Sequence, residues 1–208
     1  KRKLFTLGTV LAIAVLMVSV VVAQGPGVQD LPGGGWITGT QIQNVGGGNA
    51  NIVMTVYGQA SGEWSKTQSN IAPGASVNFL ADQFGWPGGS IGSAIVSADQ
   101  PIVAQTTETN GTAAAQYQAV DSPASQVNFP LVKNNYRGSG KSTTFFVQNA
   151  GSSAKMIYGE YRDTSGTTYN WNSGTAVQPG RMVVLNLADV NFPQNELGSL
   201  IVTSDVAI

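Results

Sequence analysis

Cysteine and histidine are both absent from this chain of 208 residues, and charged side chains make up only 10% of it. Without those two residue types a metal site would need oxygen ligands alone, and the commonest nucleophiles and acid–base groups are missing. No disulfide framework is possible, so cysteine usage carries no reading of redox compartment. What the chain does have is 26 glycines, nine prolines and abundant Ser, Thr, Asn and Gln. That profile suits β-sheet with many turns and a neutral polar surface, and suits helices poorly. A hydrophobic content of 42% is enough for packed cores and argues against global disorder. The length admits one large domain or two small ones.

The N-terminus has a composition of its own. Lys1, Arg2 and Lys3 precede an uncharged apolar run from Leu4 to Val22, which closes on small side chains at Val21-Val22-Ala23 before Gln24. This is the pattern of a secretory signal, here expected as a hydrophobic helix over residues 1–23. An uncleaved membrane anchor has the same length and stays open as the other reading. Both place the remainder outside the cytoplasm, secreted or at the cell surface. Loss of residues 1–23 leaves seven basic against eleven acidic side chains, a mildly acidic chain with no basic stripe for nucleic acid. Contact with membrane is expected only through residues 1–23, and only if they are retained.

Beyond the leader the chain repeats itself. QIQNV (41–45) resembles FVQNA (146–150), and Tyr57 with Ser61-Gly62 matches Tyr161 with Ser165-Gly166. Pro73-Gly74 matches Pro179-Gly180, Trp86-Pro87 matches Phe192-Pro193, and IGSAIVSAD (91–99) lies on LGSLIVTSD (197–205). The offset stays between 104 and 106 residues throughout, so order, spacing and residue class are kept together. In the first unit, apolar or β-branched stretches predict strands near 37–44, 50–58, 62–69, 75–80, 91–98, 101–108 and 113–120, separated by turn residues. Leu80–Phe84 predicts at most one helical turn. About seven short strands at this spacing indicate an antiparallel β-sandwich.

The expected organisation is therefore all-β: a leader over 1–23, a linker over 24–35, one sandwich over 36–124 and a second over 125–208. An extended piece around Val127–Val132 joins them. Ile208 aligns with Ile102, so the second sandwich is expected to be truncated, without counterparts of 101–108 and 113–120. Comparing the units also predicts facing. Pairing Val53, Thr55 and Tyr57 with Ile157, Gly159 and Tyr161 puts Glu160 on a wet face, with Val53, Tyr57, Ile157 and Tyr161 turned inward. Ile42 and Val147 are expected inward, Gln43 and Gln148 outward.

One motif invites a nucleotide. GSGKST, from Gly138 to Thr143, ends like a phosphate-binding loop, but Asn135 stands where that motif requires its first glycine. The TTFFVQN that follows is strand-forming, whereas phosphate needs a helix N-terminus. The expectation is a flexible loop. Asn44 and Asn149 each end a strand before a small-residue turn; their amides can contact a ligand at a sandwich end or satisfy the turn backbone. Trp36, Trp64, Trp86 and Trp171 could stack on sugar rings from an exposed position, and Trp86, aligned with Phe192, can equally be a packing plug. Trp86, Asn44 and Asn149 are the candidate ligand-binding residues. Asp99 and Asp205 open tight turns, and the other acids are scattered without calcium-loop spacing. Asn110-Gly111-Thr112 has the form of a glycosylation sequon. No catalytic residue, cofactor or metal is indicated.

The stretches FPLVKNNYRGSGKSTTFFVQNAGSSAKMIYGEY (129–161) and IVSADQPIVAQ (95–105) follow a pattern that resembles modular Ig-like sandwich repeats. Those repeats belong to predicted cell-surface proteins of bacteria, Chloroflexi-like ones especially. The resemblance covers about residues 36–208 and implies an exported, non-catalytic scaffold or adhesive protein. The function expected is structural, at the cell surface or in the extracellular matrix. The alternative is an adhesin or carbohydrate-binding module using sandwich-end loops. Extracellular polysaccharide or other surface proteins are the expected partners.

Overall fold

The computed structural model describes residues 35–88, 90–187 and 190–208, together with the backbone of residues 15–22. The described residues are all-β, and every strand pairing among them is antiparallel. The first unit contains β2 (Ile37–Asn44), β3 (Ala50–Gly58), β4 (Glu63–Ile71), β5 (Ser76–Leu80), β6 (Ile91–Ala98), β7 (Ile102–Thr109) and β8 (Ala114–Gln118). The second contains β9 (Gln126–Asn134), β10 (Thr144–Gln148), β11 (Ile157–Asp163), β12 (Thr168–Asn172), β13 (Met182–Asn186) and β14 (Glu196–Ser204). The strand preceding both, β1 (Val15–Val22), runs antiparallel beside β6. The expected leader helix over 1–23 and linker over 24–35 fall for the most part outside the described residues. Among the described residues no helix is long and apolar enough to cross a membrane.

Among the described residues these strands form four sheets, in the orders β1-β6-β3-β4, β5-β2-β7-β8, β12-β11-β14-β9 and β10-β13. The first two enclose one apolar core, with Ile42 and Phe79 from one sheet meeting Ile52, Met54 and Val56 from the other. The last two enclose a second core around Val147, Ile157, Tyr161, Leu185 and Leu200. Alternation drives both arrangements, since period-two burial in β3 and β11 gives each sheet one dry face. The single helical turn expected after Leu80 is a 3₁₀ turn over Ala81–Phe84, closed by Gly85 at φ 67°. Pro130 is accommodated because β9 is an edge strand and its pairing with β14 shifts register there. β9 lies on β14 as β1 lies on β6. The places that β7 and β8 fill in the first unit have no strand among the described residues of the second.

The facing expected for β3 needs correction. Ile52, Met54 and Val56 are buried, whereas Val53 and Tyr57 lie on the opposite, half-exposed face. In β11 the expected inward residues Ile157 and Tyr161 are indeed buried. The two strands superpose at an offset of 105, matching Ile52 with Ile157 and Val56 with Tyr161, as their pairings with β6 and β14 show. An offset of 104 slips the alignment by one residue, and in a strand one residue reverses every side chain. Ile42 and Val147 face inward as expected.

The two units meet through a small apolar cluster, Ile91 and Met182 with Tyr117, Phe146 and Val184 at its margin. Polar contacts surround it. The Ser93 hydroxyl donates to the Gly180 carbonyl at 2.6 Å, and the Gln148 amide donates to Gly180 at 2.8 Å and to Ala94 at 3.4 Å. The Arg181 guanidinium donates to the Gly58 carbonyl. Gln148 thus points away from its own core, as expected, yet is buried because the first unit covers it. Its counterpart Gln43 makes the same contact, to Gly74 at 2.9 Å, in the open. Gly180 is required twice: its φ is 77°, and an added Cβ would lie 2.7 Å from the Tyr57 ring. Burial at this joint pushes the Tyr57 hydroxyl pKa up.

Candidate functional site

Asn44 and Asn149 sit in the same place at equivalent strand ends, both fully buried. The Asn44 amide donates to Gly48 (2.7 Å) and Ile71 (2.8 Å), and its carbonyl accepts from the Gly46 N–H (2.9 Å). Asn149 does the same with Ser153 (2.9 Å), Val177 (2.7 Å) and Gly151 (2.8 Å). A side chain so engaged fastens the turn to the strand behind it. Trp86 is only 7% exposed and packs against Trp64 at 6.1 Å, so neither ring face is open to a sugar. Phe192 occupies the aligned position and stacks on Tyr161 at 5.2 Å, with Tyr169 alongside at 6.3 Å. Both aromatics plug one end of their unit. The pairings also match Trp64 with Tyr169, since each lies opposite Val56 or Tyr161 on the neighbouring strand.

The loop 138–143 leads into β10, and Gly138 and Gly140 take left-handed conformations there without a following helix. Asp99 accepts two bonds from Asn51, both at 2.7 Å, and the Asn51 backbone N–H holds its carboxyl below the usual carboxylate range. Asp205 instead faces Lys155 at 3.7 Å. Asn110 closes the β7–β8 hairpin through bonds to Thr112 and Ala113. Among the described residues no group of three acids gathers as a metal site would require.

A different surface draws the functional groups together. The outer face of the sheet β12-β11-β14-β9 carries a shallow depression of about 490 Å³. Tyr158 lies in its floor, 47% exposed, with Asn172 on one neighbouring strand and Thr203 then Gln126 on the other side. The next row holds Asn170, Glu160 and Ile201. Glu160 is paired to Arg162 at 2.7 Å, and Gln126 donates to Asn128 at 3.1 Å, so the charges are neutralised and the amides aligned. Beneath it Trp171 turns inward over Gly159, where an added Cβ would come within 3.3 Å of the indole. An open aromatic ring flanked by amides and hydroxyls offers a stacking platform with lateral donors and acceptors, chemistry suited to a neutral polyhydroxylated ligand.

The corresponding face of the first unit is blander: Val53 stands for Tyr158, Thr55 for Glu160, Ser65 for Asn170 and Thr67 for Asn172. Sequence reasoning passed over this face while searching the loops. The signal was present in the alternation, because a wet Glu160 places Tyr158 and Arg162 on the same side.

No family model matches the chain, and no curated protein matches it. Among solved structures the chain is similar to the crystal structure of Thermotoga maritima 1070, at 15% identity, covering 53% of this chain and 95% of that one. The TM-score is 0.42, a likeness that carries no argument about fold or function.

Proposed function

We propose that this is an exported, non-catalytic scaffold protein of the cell surface or extracellular matrix, built from tandem Ig-like β-sandwich modules. The observation that supports it most directly is the joint: Gln148, Ser93 and Arg181 lock one unit to the next through buried backbone contacts. Side-chain-to-backbone contacts of this kind resist shear and fix the angle between units, as a load-carrying chain of modules needs. The buried anchors Asn44 and Asn149 serve rigidity in the same way. The leader accounts for export. Expressed with residues 1–23 in a bacterial host, the protein is expected in the extracytoplasmic fraction; mass spectrometry showing an N-terminus at Gln24 means that β1 leaves the edge of β6 on export, and intact residues 1–23 mean an uncleaved leader. Retention in the cytoplasm would sink the exported reading.

A second reading, an adhesin or carbohydrate-binding module, is favoured by the Tyr158 face. Its ligand would lie across the sheet, where Tyr158 stacks and Asn170, Asn172 and Gln126 reach ring hydroxyls. A glycan array separates the two. Saturable binding that Tyr158→Ala removes while Trp86→Phe retains it establishes the second reading; an array without signal leaves the scaffold.

A further inference from the structure

The joint between the two units is made from surfaces that the duplication repeats. On the first unit it uses the outer side of β3 and β6, where Tyr57 pairs with Ser93. On the second it uses the outer side of β10 and β13, where Gln148 pairs with Met182. The same strand pairings put Arg162 and Ser199 of the second unit in the places of Tyr57 and Ser93, and Gln43 and Ser76 of the first in those of Gln148 and Met182. Both counterparts lie at the surface, with Ser76 and Arg162 exposed. The backbone that receives the joint is copied as well. Gly74 has the φ of 77° that Gly180 has, and its N–H donates to Asn44 at 2.8 Å as that of Gly180 does to Asn149 at 2.8 Å. At the joint the Gly180 carbonyl takes the Gln148 amide and the Ser93 hydroxyl together; on Gly74, among the described residues, only the matching Gln43 bond is made. Exposed apolar side chains mark the same two faces. Ile37, Leu80 and Val103 stand on the outer side of β2, β5 and β7, whose outward residues carry no charge, and Leu131 and Tyr158 stand on the outer side of β9 and β11. Of the seven large apolar side chains exposed among the described residues these are five, so burial is most favourable on these two faces.

We infer that a second copy of this chain docks there head to tail: the outer side of β11 and β14 in one copy covers the outer side of β2 and β5 in the next, in the arrangement of the joint. The Ser199 hydroxyl then donates to the Gly74 carbonyl of the next copy, as Ser93 does to Gly180. Leu197, aligned with Ile91, packs at Ser76, as Ile91 packs at Met182. The planar Arg162 guanidinium lies over Gly74, where the Tyr57 ring lies over Gly180, and nothing within 4 Å of a Cβ on Gly74 obstructs it. Arg162 brings its own counter-charge, Glu160 at 2.7 Å, onto an uncharged face, so no unpaired charge is buried. Because the two faces differ, the contact is heterologous and adds copies without closing. It stands on the joint alone and holds whether or not the chain is exported.

Sedimentation velocity of the full chain at rising concentration is the test. The weight-average mass is expected to climb past the dimer without levelling. Ser76→Arg, which sets a charge against Arg162 of the next copy, and Ser199→Arg, which removes the donor to Gly74, should each stay monomeric to about tenfold higher concentration or more. Mixed one to one, the two variants are expected to form a dimer and stop there, since each supplies the face that the other lacks. The chain has no cysteine, so Ser76→Cys and Leu197→Cys give a second measurement that needs no arginine variant to fold. Mixed under mild oxidation, they should cross-link to each other at least about tenfold faster than either does to itself. A parent that stays monomeric throughout, a mass that levels at the dimer, or cysteine variants that cross-link only to themselves overturns the proposal.

Discussion

Met54 and Lys66 in the first unit occupy the places that Gly159 and Trp171 hold in the second, and each pair lies directly opposite across neighbouring strands. One unit fills the space from β3 and the other from β12, where the indole covers the gap left by a missing side chain. Both solutions keep the core closed, which is what close packing demands of a duplicated scaffold. The outer faces diverge further. Val53 and Thr55 stand on the first unit's face where Tyr158 and Glu160 stand on the second's, and Tyr57, in the place of Arg162, lies at the joint against Gly180. Turn anchors and end plugs have barely changed between the two. Residues that hold the backbone are constrained by its geometry, whereas outward residues are free to diverge into a surface with its own chemistry.

The comparison can be broken most sharply in the cores. Tyr161→Ala removes a buried ring stacked on Phe192 and should cost the second unit about 3–5 kcal/mol. Tyr57→Ala, one residue out of register with it, should leave the first core intact and loosen only the joint. Thermal melts with a probe in each unit decide this, and a large loss in the first core from Tyr57→Ala would refute the 105-residue register. Next come the anchors. Asn44→Ala and Asn149→Ala each remove three side-chain bonds to turn and strand backbone, so each should cost about 1–3 kcal/mol, similarly in the two units. A marked inequality in denaturant midpoints would mean that the shared geometry hides different roles.

Gly74→Ala and Gly180→Ala sharpen the comparison further. Both glycines have φ 77°, so either alanine pays about 1–2 kcal/mol of backbone strain. Only Gly180→Ala also collides with Tyr57, whereas a Cβ on Gly74 meets nothing within 4 Å. Faster exchange of the Gln148 side-chain amide protons, which donate across the joint, in Gly180→Ala, and unchanged exchange in Gly74→Ala, is the expected result. The smallest effect concerns pH. Because Asn51 lowers the Asp99 pKa, ionised Asp99 contributes stability above the unfolded value of about 4, and that contribution is lost as pH falls through the folded value. Asp99→Asn should flatten this acid-side slope for the first unit, read from melting temperature against pH.

Strand positions were legible with small error: the expected 62–69 and 113–120 are Glu63–Ile71 and Ala114–Gln118. Turn chemistry made them so, since Pro73-Gly74, Ser61-Gly62 and Asn110-Gly111 punctuate the chain where a strand cannot continue. The facing of β3 was not legible, because matching Tyr57 to Tyr161 satisfied residue type while slipping the register. The burial of Asn44 and Asn149 follows their turns, but whether an amide ends inward or outward depends on carbonyls as distant as Ile71 and Val177. Gln148 shows the same limit, as its outward direction is local and its burial comes from the other unit.

By itself, then, the sequence determined the elements: composition excluded helix-rich packing, turn residues cut the strands, and the internal repeat set their order twice. Those are local or self-comparing signals, carried by backbone preference and period-two alternation. Tertiary structure alone decided which strands share a sheet, how the units lock at Gly180, and that Tyr158 with Asn170, Asn172 and Gln126 form one surface. Gln126 and Asn172 are separated along the chain and meet only because β9 and β12 flank β14 and β11 in one sheet. Alternation tells a residue which side of its strand it occupies, and only pairing between distant strands tells it which neighbours it will have there.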